Sequence, residues 1–151
     1  GETEAIINRK TVSVIENGLK AVLCVGEGKR SPLNECAEDV IGGQLESALR
    51  DLKGGFQDNL MIAYEPVWAI GSNLPATPEI VNSRARFIKE FISQLDYVDD
   101  GESTPVIYGG SVTSENVGFY LDMENVDGVL LGASSLNIES FKRAIRVAEN
   151  Y

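Results

Sequence analysis

Histidine is absent from this chain. Imidazole therefore cannot serve here as general acid, general base or metal ligand, and any such chemistry must come from elsewhere or be absent. Cysteine is scarce, with only Cys24 and Cys36 present. Two thiols make no disulfide framework. With Cys24 in a predicted strand and Cys36 in a predicted helix, both read as free buried thiols of a reducing compartment. Long apolar runs are missing as well, and none approaches the ~18 residues that span a bilayer. The opening residues, Gly-Glu-Thr-Glu-Ala, lack the basic start and apolar core of a signal peptide. A cytoplasmic location with no membrane partner is the expectation.

Positive charge is also in short supply. Thirteen Lys and Arg stand against 23 Asp and Glu, a formal net charge of −10. The basic residues are scattered, with no stripe to track a phosphate backbone, which argues against nucleic acid as a partner. An acidic protein still binds a small phosphate through backbone N–H groups and helix N-termini, which add no formal charge. What is present in quantity is ordinary globular material, 43% hydrophobic and 24% charged. A length of 151 residues suits one domain with a sizeable core.

Helix and strand alternate along the whole chain. Thr3 is placed to cap a first helix running to about Gly18, with Ile6, Ile7, Val14 and Ile15 for its inner face. Residues 21–25 are a continuous apolar strand, followed by a loop with Gly26, Gly28 and Pro32. A second helix is predicted from about Asn34 to Leu52, with Ala37, Val40, Ile41, Leu45, Ala48 and Leu49 at helical spacing. The strand Leu60 to Tyr64 comes next. Thr77-Pro78-Glu79 is a strong helix start: a capping hydroxyl, Pro in the first turn, and an acid beside it. That helix carries Ile80, Val81, Ile88, Phe91, Ile92 and Leu95. Residues 99–103 read as a surface loop. A strand at 106–108, a modest helix from about Ser114 to Leu121, a strand at 128–131 and a final helix capped by Asn137 complete the pattern. The final helix bears Ile138, Phe141, Ala144, Ile145 and Ala148. The order is one helix and then four βα units. Strands this apolar belong to a parallel sheet, so the fold class is α/β.

Two features point to chemistry. The strand Leu60 to Tyr64 delivers Glu65 at its C-terminal end, where Pro66 stops it and Trp68 and Gly71 follow in a loop. Parallel α/β folds place catalytic groups at that end of a strand, although a carboxylate there also serves as a plain ion-pair or loop anchor. Gly109-Gly110-Ser111 and Gly132-Ala133-Ser134 each follow a strand. Such turns aim consecutive N–H groups at an anion, and glycine also occurs there for steric reasons alone. Two in succession match the way barrels build a phosphate site from the loops after their last two strands.

Four segments in order carry a resemblance: Cys24-Val25-Gly26-Glu27, Ala63 to Gly71, Tyr108 to Val112, and Asp127 to Gly132. Together they resemble the C-terminal portion of the triosephosphate isomerase family, from late in the fourth βα loop through its last four strands. The resemblance covers nearly the whole chain and implies a single partial (β/α)8 barrel over residues 1–151, the C-terminal half of a TIM barrel. It implies an isomerase that interconverts dihydroxyacetone phosphate and glyceraldehyde 3-phosphate through an enediolate, with no cofactor and no metal.

By the same resemblance Glu65 is the catalytic base, and backbone N–H groups of Gly71, Ser111, Gly132 and Ala133 hold the substrate phosphate. Tyr108 and Ser111 match residues that latch a closed lid ending near Ala76, while Trp68, Tyr64 and Glu27 match groups that hold it open. The chain departs from the family in the lid. Ser72-Asn73-Leu74-Pro75-Ala76 stands where Thr-Gly-Lys-Thr-Ala is usual, and Ala133 replaces a second glycine, which requires a negative φ. Isomerases of four-carbon ketose phosphates share the fold and vary in such loops.

The family's substrate-contacting Lys and carbonyl-polarising His fall upstream of Gly1. Four βα units also cannot close an eight-stranded barrel. The chain then reads as a fragment of a longer protein, as one half of a two-chain barrel completed by an N-terminal half, or as a half-barrel that self-associates and acts only on assembly or not catalytically at all. Alone, it is expected to be inactive. Val22, Cys24, Ile62, Tyr64, Ile107 and Leu130 are candidates for the open interior, about half of them pointing inward.

Overall fold

A computed structural model of the chain describes residues 1–28, 37–72, 74–95, 101 and 103–151. Five helices and four strands alternate among them: α1 (Glu4–Glu16), β1 (Ala21–Val25), α2 (Ala37–Leu49), β2 (Leu60–Tyr64), α3 (Pro78–Ser93), β3 (Val106–Gly109), α4 (Val117–Leu121), β4 (Gly128–Leu130) and α5 (Ile138–Ala148). Short 3-10 turns sit at Gln57–Asn59 and Ala133–Leu136. The four strands form one sheet in the order β1-β2-β3-β4, every neighbouring pair parallel. This is the four-unit parallel α/β architecture expected, consistent with half of a TIM barrel. No helix among the described residues is long and apolar enough to cross a membrane.

Strand alternation sets the two faces of the sheet apart. Leu23, Ile62, Tyr64, Val106 and Tyr108 are buried against the helices, in one core with Ile41, Leu45, Val81, Ile88 and Ile92. On the opposite, concave face the register aligns Val22 with Met61, and Cys24 with Ala63, Ile107 and Gly128. Ile62 and Tyr64 therefore belong to the outer core and not to the interior. Val22, Cys24, Ile107 and Leu130 take the concave side.

The helix starts follow their signals unevenly. Thr77 Oγ1 accepts from Ile80 N at 3.4 Å with Pro78 next to it, and Asn137 Oδ1 accepts from Glu139 N and Ser140 N at 3.1 and 3.0 Å. Thr3 occupies its cap position with extended backbone but makes no side-chain cap bond. α1 stops at Glu16, and Gly18, at φ 72°, turns the chain so that Leu19 N reaches Val14 O. α4 begins only at Val117, because Asn116 Oδ1 takes up Thr113 N and holds residues 113–116 as a turn.

Several burial expectations are corrected. Cys24 is exposed, since nothing among the described residues covers the concave face of β1 there. Val40 lies off the buried stripe of α2. Gly101 is buried rather than on a surface loop: a Cβ there would run into the backbone of Ser93 at the end of α3. Cys36 and the expected start of the second helix at Asn34 lie outside the described residues, as do Asn73 and Asp99-Asp100. On α5 only Ala144 is buried. Ile138, Phe141 and Ile145 stand exposed, and Leu136 just before them is 88% exposed.

Candidate active site

Glu65 leaves β2 at the C-terminal edge of the sheet, its N–H donating to Val25 O at 2.7 Å. Two glycines make room for it. A Cβ on Gly26 would clash with the Glu65 carbonyl, and one on Gly109 would lie 2.5 Å from Glu65 Oε1. The carboxylate therefore lies directly over the first glycine of the turn after β3. Gln44 fixes Gly26 from α2, accepting from its N–H at 2.8 Å and donating to its C=O at 3.1 Å.

An open cavity of about 640 Å³ lies at this edge, lined by Glu65, by Ile70 to Ser72 and Pro75 from the segment after β2, and by the turns at 110–113 and 132–134. Glu65, Gly71, Ser111, Gly132 and Ala133 thus come together on one cavity. Gly71 has φ 62°, a left-handed conformation that favours glycine. Ala133 opens a 3-10 turn, and no described non-glycine residue has positive φ.

The segment 66–76 is tied down at several points. Ser111 Oγ donates to Ala69 O at 2.9 Å and is also paired with Ser72 O. Ala76 N–H donates to Tyr108 Oη at 3.0 Å. Near its start, Trp68 Nε1 and Tyr64 Oη donate to Glu27 Oε1 at 2.8 and 3.1 Å. Glu27 is only 1% exposed, so two donors compensate a carboxylate taken out of water. Burial and then the charge of Glu27 push the Tyr64 hydroxyl well above the ordinary phenol range. Both sets of contacts, expected to serve opposite states of the lid, are made at once in this single conformation.

Sequence reasoning missed the residues that brace the turns. Asn116 Nδ2 donates to Ser111 O at 3.0 Å while its Oδ1 accepts from Thr113 N at 2.8 Å. Ser134 Oγ donates to Val112 O at 2.6 Å and joins the two glycine turns. Tyr120 Oη donates to Ala76 O at 2.9 Å. Of these only Asn116 left a local signal, a Thr-Ser-Glu-Asn stretch that favours a side-chain-closed turn. Cys24 reaches the carboxylate from the concave side. Withdrawal from water, and then the charge and hydrogen bonding of Glu65, raise its thiol to about 11.

The sequence model of the triosephosphate isomerase family matches residues 1–148. The triosephosphate isomerases of two strains of Treponema pallidum, one of them the Nichols strain, are each 37% identical over 141 residues, 93% of this chain and 57% of theirs. The chain thus spans a little over half the length of these curated relatives. A family match over nearly every residue, on a parallel sheet that gathers these turns around one carboxylate, leads to one conclusion: the chain belongs to the triosephosphate isomerase family.

Proposed function

We propose that this chain is the C-terminal half of a barrel that interconverts dihydroxyacetone phosphate and glyceraldehyde 3-phosphate, and that it supplies the base, the lid and the phosphate loops. The observation that carries the reading is Glu65 Oε1 poised over Gly109 on the wall of the cavity formed by Gly71, Ser111, Gly132 and Ala133. Glu65 removes a proton from the hydroxyl-bearing carbon beside the substrate carbonyl, and the enediolate forms. The proton returns to the former carbonyl carbon while the hydroxyl proton moves to the former carbonyl oxygen, leaving the carbonyl one carbon along. Backbone N–H groups of the four turn residues hold the phosphate without adding formal charge. Trp68, Tyr64 and Glu27 govern the lid at its start, and Tyr108, Ser111 and Ala76 latch its far end, which keeps water from the enediolate. The electrophile that polarises the carbonyl comes from a segment this chain does not contain, since the chain has no histidine.

The exposed concave strands and the apolar face of α5 set the partner requirement. Val22, Cys24, Ile138 and Ile145 need cover that an N-terminal half-barrel or a second copy would provide. Association runs through the sheet edges at β1 and β4. The test is to assay the chain alone, and then together with an N-terminal half, on a triose phosphate and on a four-carbon ketose phosphate. No turnover alone and triose turnover on completion are expected. Turnover of the four-carbon substrate only would reassign the substrate, and turnover by the chain alone would remove the need for completion. In light scattering, a soluble monomer that binds no hydrophobic dye would contradict the partner requirement.

A further inference from the structure

Ala76, the last residue before the Thr77 cap of α3, is gripped from two sides. Its N–H donates to Tyr108 Oη at 3.0 Å and its C=O accepts from Tyr120 Oη at 2.9 Å. The three residues are 1%, 0% and 2% exposed, so water does not replace either bond without local opening. The rings of Tyr108 and Tyr120 lie 4.5 Å apart. A hydroxyl has one proton to give. Tyr120 gives its proton to the Ala76 carbonyl, while Tyr108 accepts from the Ala76 amide and keeps its own proton for another acceptor. The two hydroxyls therefore hold the two backbone polar groups of one residue in opposite roles, one accepting and one donating.

Tyr108 is the next-to-last residue of β3, before the turn that carries Ser111, and Tyr120 sits on α4 after it. Both sides of the phosphate turn therefore hold the same lid residue. Gly110 has a reason to be glycine here, because a Cβ would strike the Tyr108 hydroxyl.

We propose that Tyr120 is a positioning residue for the lid: with Tyr108 it holds both backbone polar groups of Ala76, so the C-terminal hinge opens only when two buried bonds break together. This rests on the isomerase reading for its consequence but not for its test.

Amide hydrogen exchange and a temperature-jump on the fluorescence of Trp68, the single tryptophan, need no substrate. They are read in the barrel completed by an N-terminal half. In the unmodified protein the Ala76 amide should exchange as slowly as Ile62, whose N–H is bonded to Pro105 O between the strands. Tyr120→Phe should speed Ala76 exchange about tenfold or more and quicken the Trp68 relaxation, with Ile62 unchanged. Tyr108→Phe should do the same, and the double variant should speed both further, because each hydroxyl holds a different backbone atom of Ala76. Ala76 exchange untouched by Tyr120→Phe, or Ile62 accelerated by the same factor, would reduce Tyr120 to a core residue. Loop-like exchange at Ala76 in the unmodified protein would overturn the proposal without any variant. Absence of turnover in the unmodified completed barrel would sink the isomerase reading alone.

Discussion

The two faces of one sheet differ more than any two elements of this protein. On the outer face Leu23, Ile62, Tyr64 and Tyr108 are buried under the helices, while one residue along β1 from Leu23, Val22 is 52% exposed and Cys24 lies open. Backbone alternation makes both faces apolar, and on β1 only the outer one is covered among the described residues. The outer face holds the fold together. The concave face and the edge above it carry Glu65 and the turns, together with exposed apolar surface at Val22. On β1 buried and exposed side chains are thus separated by a single residue step.

The largest effect should follow from a change on the chemical side. Glu65→Gln in the completed barrel should lower kcat by about 10²–10⁴-fold, the usual contribution of a positioned general base. Phosphate affinity should hardly move, and thermal stability should stay within about 0.5 kcal/mol because no core contact is lost. Steady-state kinetics and a melting curve decide it. Loss of stability with activity retained would place Glu65 among the structural groups. Gly109→Ala should act on the same carboxylate by displacement, since its Cβ would stand 2.5 Å from Glu65 Oε1. A misplaced base costs about 10²-fold in kcat, and an unchanged kcat would mean that Glu65 works from elsewhere.

The separation of faces can be measured with two truncations. Ile62→Ala on the outer face should cost about 2–5 kcal/mol wherever it is made. Val22→Ala should cost less than about 0.5 kcal/mol in the chain alone, where the side chain is largely in water. In the completed barrel it should cost about 1–2 kcal/mol, the value of two newly buried carbons. Denaturant unfolding of both variants in both settings is the check. Equal cost for Val22→Ala in the two settings would mean that the concave face gains no cover on completion.

Much of this arrangement is legible without coordinates. Each strand is a short apolar run closed by Gly or Pro, and each long helix has its stripe, so order and parallel pairing follow from the pattern. Glu65 and the glycine turns are legible because a strand end and a β–turn–helix junction leave local marks. The phase of alternation does not follow: Ile62 and Tyr64 are as apolar as Val22, and only the packing of α2 and α3 decides which set is outer. Gln44, Ser134 and Tyr120 escape a sequence reading because their partners are backbone atoms 18, 22 and 44 residues away. No local pattern encodes a bond to a distant carbonyl. The apolar stripe of α5 predicts a buried face, and its exposure shows that amphipathicity states a demand for cover without saying which chain meets it.

The smallest effect is a change in reactivity at the boundary of the two regions. Cys24 is exposed as a residue, yet its sulfur lies against Glu65 at the rim of the concave face. Withdrawal from water is the main cause of its rise from 9.0 to about 11, with the charge and hydrogen bonding of Glu65 behind it. All three favour the neutral thiol. The stability this lends the fold is therefore fully present below pH 9 and is lost as pH rises through about 11, a small amount because the residue is so open. Reactivity reports it more sharply than stability. Since the thiolate is the nucleophile, iodoacetamide should modify Cys24 at pH 8 about a hundredfold more slowly than an ordinary cysteine, with the rate still climbing towards pH 11. A Cys36→Ser background isolates the signal. Glu65→Gln removes the charge and should bring the inflection down, though not to 9.0, because desolvation remains. Completing the barrel should slow the reaction further at every pH. An inflection near 9.0 in the chain, unmoved by Glu65→Gln, would show that the sulfur faces water and that the sheet edge near Glu65 is no drier than the rest of the concave face.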